Sequence, residues 1–108
     1  MRRRIDAHVV MEKIIPRITE EYRKLYDIPE DHESMAVFSA DCEDVMWLAV
    51  DDATKKAKIK VIQIETVYGG VDHSWSRYGG EITAIISGEK VADVKSGLHY
   101  AKDYIENK

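Results

Sequence analysis

The sequence predicts an α+β domain, a four-stranded and mostly antiparallel sheet covered by helices in the order β-α-β-α-β-β-α. Three observations carry that expectation. The 108 residues suffice for a single hydrophobic core and no second domain. Apolar residues alternate with polar ones in the segments read as strands, and recur every three or four positions in those read as helices. At 44% hydrophobic and 33% charged residues, the composition is that of a globular domain rather than a disordered chain.

The first element is read as a strand over Ile5–Ile15. Ile5, Ala7, Val9 and Met11 fall on one face and Asp6, His8 and Glu12 on the other, with Val10 breaking the alternation. Pro16 ends it. Thr19 then stands before Glu20 and Glu21, with Arg23 and Lys24 further on. A capping hydroxyl, early acids and later bases suit a short helix whose amino end carries partial positive charge. That helix should stop near Asp27, ahead of Pro29. Met35–Ala40 is short and apolar, so it reads as a second strand.

Residues 41–44 (Asp-Cys-Glu-Asp) open the next helix, in which Met46, Ala49, Val50, Ala53 and Ala57 form a stripe of mostly small side chains. Lys55, Lys56 and Lys58 sit at its carboxyl end, where cations oppose the dipole. Ile59–Tyr68 reads as a third strand with Ile62, Ile64, Thr66 and Tyr68 on one face. Gly69–Gly80, bracketed by glycine pairs, is a loop leading to a fourth strand over Glu81–Ser87. Val91, Val94, Leu98, Ala101 and Ile105 then trace the apolar face of a closing helix, with Gly97 permitting close approach. The sheet is expected to be covered on one face, its other face meeting water or a partner.

Charge and composition exclude several function classes. Sixteen basic against twenty acidic residues give a net charge of -4, which disfavours a general nucleic-acid binder. No apolar run approaches the roughly 20 residues of a membrane span, and the Arg2–Arg4 start lacks the apolar stretch of a secretory signal. One cysteine, Cys42, leaves no intrachain disulfide, so a cytoplasmic setting is expected. There is no phosphate loop, HExxH or nucleophile elbow, and His8, His32, His73 and His99 lack metal-ligand spacing. Neither catalysis nor a resident cofactor is indicated.

Two segments stand out. The strand-to-helix junction Ser39, Asp41, Cys42, Glu43 and Asp44 gathers three carboxylates and the lone thiol. Acids there can simply cap the helix, each for about 0.3–1 kcal/mol. In a symmetric oligomer they would instead form a ring of charge around an axis. The glycine-bracketed loop, with Gly69, Gly70, His73, Trp75, Arg77 and Tyr78, carries aromatic side chains costly to expose. They are expected to pack on the same chain or, as slightly favoured, at a subunit interface.

At these same two segments the chain resembles the bacterial microcompartment shell domain, in the circularly permuted form found in tandem in ethanolamine- and propanediol-utilisation shell proteins. The matching features are Ser39-Ala40-Asp41 at a strand end, Asp51-Asp52-Ala53-Thr54-Lys55 in the helix, Tyr68-Gly69-Gly70, His73, Gly80-Glu81, and the run Val91 to Leu98. The likeness spans residues 34–106, with 1–33 as the permuted amino-terminal strand and helix of one domain over 1–108. The resemblance implies a structural tile in the shell of a bacterial cytoplasmic compartment, packing edge to edge with other shell proteins. It also implies a pore for small metabolites near Asp41–Asp44, and no role with nucleic acid or membrane.

The tandem relatives form trimers. A single domain would need six copies, a homohexamer of roughly 74 kDa from chains of 12.4 kDa. Some shell proteins of the family hold an iron–sulfur cluster through pore cysteines, which makes Cys42 an alternative ligand. Four-cysteine ligation nevertheless fits three- or six-fold symmetry badly. A second alternative, a trimeric metabolite-sensing domain, would want a basic glycine-rich site, and the loop offers only Arg77.

Overall fold

In a computed structural model, residues 7–67 and 81–107 are described, and they form the expected order of elements. These are β1 (Val9–Ile15), α1 (Glu20–Tyr26), β2 (Ser34–Ala40), α2 (Glu43–Lys56), β3 (Lys60–Val67), β4 (Glu81–Gly88) and α3 (Val91–Asn107). The four strands make one sheet in the order β1-β2-β4-β3, every neighbouring pair antiparallel.

One face of the sheet carries α2 and α3. Helix α3 crosses β1, β2 and β4, while α2 lies over β3 and β4 and packs along α3. The main core sits between them: Ala36, Phe38 and Ala40 from β2 and Ile82, Ala84 and Ile86 from β4 meet the buried stripes of both helices. Those stripes are Met46, Ala49, Val50 and Ala53 on α2 and Val94, Gly97, Leu98, Ala101 and Ile105 on α3. Small residues on each helix let the two axes approach. Gly97 makes room for a side chain outside α2: a β-carbon there would lie 2.8 Å from Cδ1 and 2.9 Å from Cγ2 of Ile59, in the link between α2 and β3. Ala57, expected to end the α2 stripe, is the residue that caps the helix.

The second face is half covered, where the sequence led us to expect one covered face. Met35 and Ile85 point away from the helices and meet Ile18 and Ile28 from the segment around α1, with Ile15, Tyr26, Val37 and Ile62 at the margin. Polar bonds fasten that segment. Ser34 Oγ donates to the Pro16 carbonyl at 2.6 Å, and His32 Nδ1 lies 2.7 Å from Ser87 Oγ. Helix α1 itself is built as its sequence suggests: Thr19 accepts from the Tyr22 amide, and Asp27 closes it in the left-handed region at φ 54°.

Two strand readings need correction, and one cause serves both. The β1 register pairs Val9 with Ala40 and then Met11 with Ser39, so Val10 is an extra residue in a bulge. Alternation restarts after it. Met11 therefore shares the face of Ser39 rather than that of Val9, and Glu12 turns toward the helices, where Lys102 Nζ meets it at 2.9 Å. In β3 the register likewise skips Ile62, between Val61 and Gln63. Ile62 consequently joins the second cluster, whereas Ile64 packs on the main core. Strand β1 also starts at Val9: Ala7 and His8 precede it, and Ile5, Asp6 and Tyr68 lie outside the described residues.

Candidate functional site

The junction between β2 and α2 is where the sequence concentrates its acids, and the structure gives each junction residue a different environment. Ser39 is the last-but-one residue of β2, on the face away from the helices. It is buried, with its hydroxyl 2.8 Å from that of Thr83 on β4. The chain then turns. Asp41 is held by His8: its Oδ1 accepts from the His8 amide at 2.7 Å, its own amide donates to the His8 carbonyl at 3.2 Å, and its Oδ2 lies 3.6 Å from the imidazole Nδ1. This carboxylate fixes the segment that leads into β1 instead of capping α2.

Cys42 is the residue before the helix, and its side chain makes no capping bond. It is 4% exposed and packs within the main core, so the thiol faces the interior of its own chain. Glu43 and Asp44 form the first turn of α2, where carboxylates meet the positive end of the helix dipole. Glu43 Oε2 accepts from Thr66 Oγ1 at 3.2 Å, leaning back over β3. Asp44 is exposed. The three acids thus diverge, one toward β1, one toward β3 and one into solvent. Gly69, Gly70, His73, Trp75, Arg77 and Tyr78 lie outside the described residues.

Among the described residues no group of three or more His, Cys, Asp or Glu side chains could hold a metal ion, and no helix is long and apolar enough to cross a membrane. Two open clefts of about 500 and 490 Å³ lie at the other end of the same elements, where β4 passes into α3 and α2 into β3. Glu89 borders both, His32, Lys58 and Lys60 line the second, and no junction residue contributes. The pattern reading overlooked a different feature. Trp47 and Leu48 on the outer side of α2 are 51% and 56% exposed. Their signal was available, because they fall between the steps of the buried Met46–Ala49–Val50–Ala53 stripe.

The fold belongs to a recognised class. The BMC domain family model matches residues 43–108, beginning at the first residue of α2, and the chain belongs to that family. The bacterial microcompartment shell protein EutL of Clostridium perfringens is 33% identical over 103 residues, and EutL of Escherichia coli is 30% identical over the same length. Each comparison covers 95% of this chain but only 48% and 47% of the relative, so the chain spans about half the length of these proteins. Among solved structures, the ethanolamine utilization protein EutL from Leptotrichia buccalis superposes with a TM-score of 0.87 at 39% identity, over 98% of this chain and 49% of that one. A trimeric bacterial microcompartment shell protein, PduB, shares the fold at a TM-score of 0.66 and 19% identity, over 87% of this chain and 40% of its own.

Proposed function

We propose that this chain is a structural unit of a bacterial microcompartment shell, and that six copies close into a disc with a small-metabolite pore. The observation that carries the proposal is the likeness to EutL along nearly the whole of this chain and only half of the relative. Six units close the same ring whether they come two to a chain or one to a chain. The disc sits in the compartment's shell, edge to edge with other shell proteins, in the bacterial cytoplasm.

The junction acids are assigned to the pore. Asp44 is the exposed one and repeats around the axis, so it presents a ring of carboxylates to whatever passes. Such a ring favours cations and hydrated polar solutes and repels anions. Cys42 enters this reading as a plain core thiol, because its burial turns it away from neighbouring copies.

Native mass spectrometry tests the disc and ion permeation tests the pore. A species of roughly 74 kDa, six chains of 12.4 kDa, is expected. Asp44→Asn should leave that mass unchanged while reducing the preference for cations in discs placed across a bilayer. A monomer or a trimer overturns the disc. Unchanged selectivity in Asp44→Asn removes Asp44 from the pore and leaves it a charge at the positive end of the α2 dipole.

A further inference from the structure

We propose that copies of this unit join head to tail, with Trp47 and Leu48 on α2 of one copy seated against Val10 and Met11 on β1 of the next. The inference rests on the disc reading above and names the surfaces that would build it.

Single exposed apolar residues such as Tyr22 and Leu25 on α1 are ordinary, but four others form two pairs of chain neighbours. Trp47 and Leu48 are 51% and 56% exposed, Val10 and Met11 43% and 42%. Their positions matter as much as their exposure. Strand β1 is one edge of the sheet, and α2 lies over β4 and β3 toward the other. The two pairs therefore sit on opposite sides of the molecule and cannot meet within one chain. A contact between unlike patches on opposite sides is heterologous, and repeating it closes a ring when the rotation per step allows.

The charges around the two patches are opposite. On α2 the exposed acids Asp44 and Asp51 bracket Trp47 and Leu48 at helical spacing, with Asp51 also reaching Lys55 at 3.1 Å. On the β1 side the exposed bases Lys13 and Arg17 follow Met11, while Glu12, on the opposite face of the strand and itself 40% exposed, is paired with Lys102. An acidic rim facing a basic one sets orientation and disfavours pairing of like patches, α2 on α2 or β1 on β1. The bulge at Val10 contributes too: by shifting the register it puts Met11 and Lys13 on the face of Ser39 and Val37, away from the helices. Tryptophan and methionine are among the side chains enriched where protein surfaces bury one another.

The test uses Trp47→Glu and Met11→Glu, both at exposed positions, with circular dichroism to verify that each variant is folded. Native mass spectrometry should give six chains for the unsubstituted protein and one chain for each variant. Mixed in equal amounts at high micromolar concentration, the variants retain one good patch of each kind between them. They should then form a one-to-one heterodimer and nothing larger. A six-chain species that persists in either folded variant overturns this contact and leaves the disc standing, as does a mixture that stays monomeric. A monomer for the unsubstituted protein overturns the disc itself.

Discussion

Asp41 and Asp44 are three positions apart and chemically alike, yet they have different partners, and that difference can be measured. The Asp41 carboxylate accepts the His8 amide at 2.7 Å, whereas Asp44 stands in solvent at the start of α2. Asp41→Ala should destabilise the fold by about 1 kcal/mol, the scale of a partly exposed charge-assisted hydrogen bond. It should also remove protection of the His8 amide in hydrogen exchange. Asp44→Ala should leave that amide protected and cost no more than the few tenths of a kcal/mol of a dipole interaction. The sequence showed the cluster of acids but not this division of labour. His8 and Asp41 are far apart in the chain, and only strand pairing brings them together. Cys42 poses the same difficulty: a lone thiol beside acids reads equally well as a surface ligand or as a core residue, and only the direction of the turn after β2 buries it.

At the scale of elements, packing sites that depend on a local pattern were legible and those that depend on pairing were not. The cap at Thr19, the stop at Asp27 and the buried stripes of α2 and α3 follow from periodicity and end chemistry. The two bulges do not, because an extra residue shows itself only against the partner strand. Val10 did interrupt the alternation in the sequence, but nothing there told that Met11 and all that follows would change faces. Gly97 was expected to permit a close approach, and Ile59 is what it approaches. Gly97→Ala gains about 1 kcal/mol of helix propensity and meets an overpacking cost of about 1–3 kcal/mol. A net loss of about 1 kcal/mol in urea denaturation is expected. In an Ile59→Ala background the obstructing atoms are gone, so the same Gly97→Ala substitution should become stabilising.

The ion pair between Glu12 of β1 and Lys102 of α3 gives this pairing of elements a pH dependence. The hydrogen bond and charge of Glu12 raise the Lys102 ammonium above its ordinary pKa, with Glu106 adding to the effect. A base raised on folding stabilises the protein fully below its unfolded pKa and loses that contribution as pH climbs through the folded one. Melting temperatures of the unsubstituted protein and Lys102→Met should therefore differ near neutrality and converge in strong alkali. The group is fully exposed, so the difference should be small and should shrink with added salt.

For the molecule as a whole, the sequence carried the fold class, the order of elements and the family. It carried the exposure of Trp47 and Leu48 only as their place outside the buried stripe of α2, and that of Val10 and Met11 not at all, since the register of β1 decides it. Stability should reflect assembly in a simple way. When folded units bind one another and unfolded chains do not, mass action raises the melting temperature with protein concentration. The unsubstituted protein should show that rise over a hundredfold dilution series in scanning calorimetry, and Trp47→Glu should melt at one temperature throughout.

The irregularities at the two outer strands have a consequence for living in a crowd. In the shell wall proposed above many identical sheets lie side by side, the condition under which exposed strands add to one another indefinitely and stack into cross-β fibrils. Both borders of this sheet, β1 at Val10 and β3 at Ile62, are interrupted by one unpaired residue that breaks the run of regularly spaced backbone donors and acceptors. A neighbour arriving in the plane of the sheet finds no uninterrupted template to copy. Straightening either border by deleting its extra residue would trade a bounded tile for a chain with an appetite for amyloid.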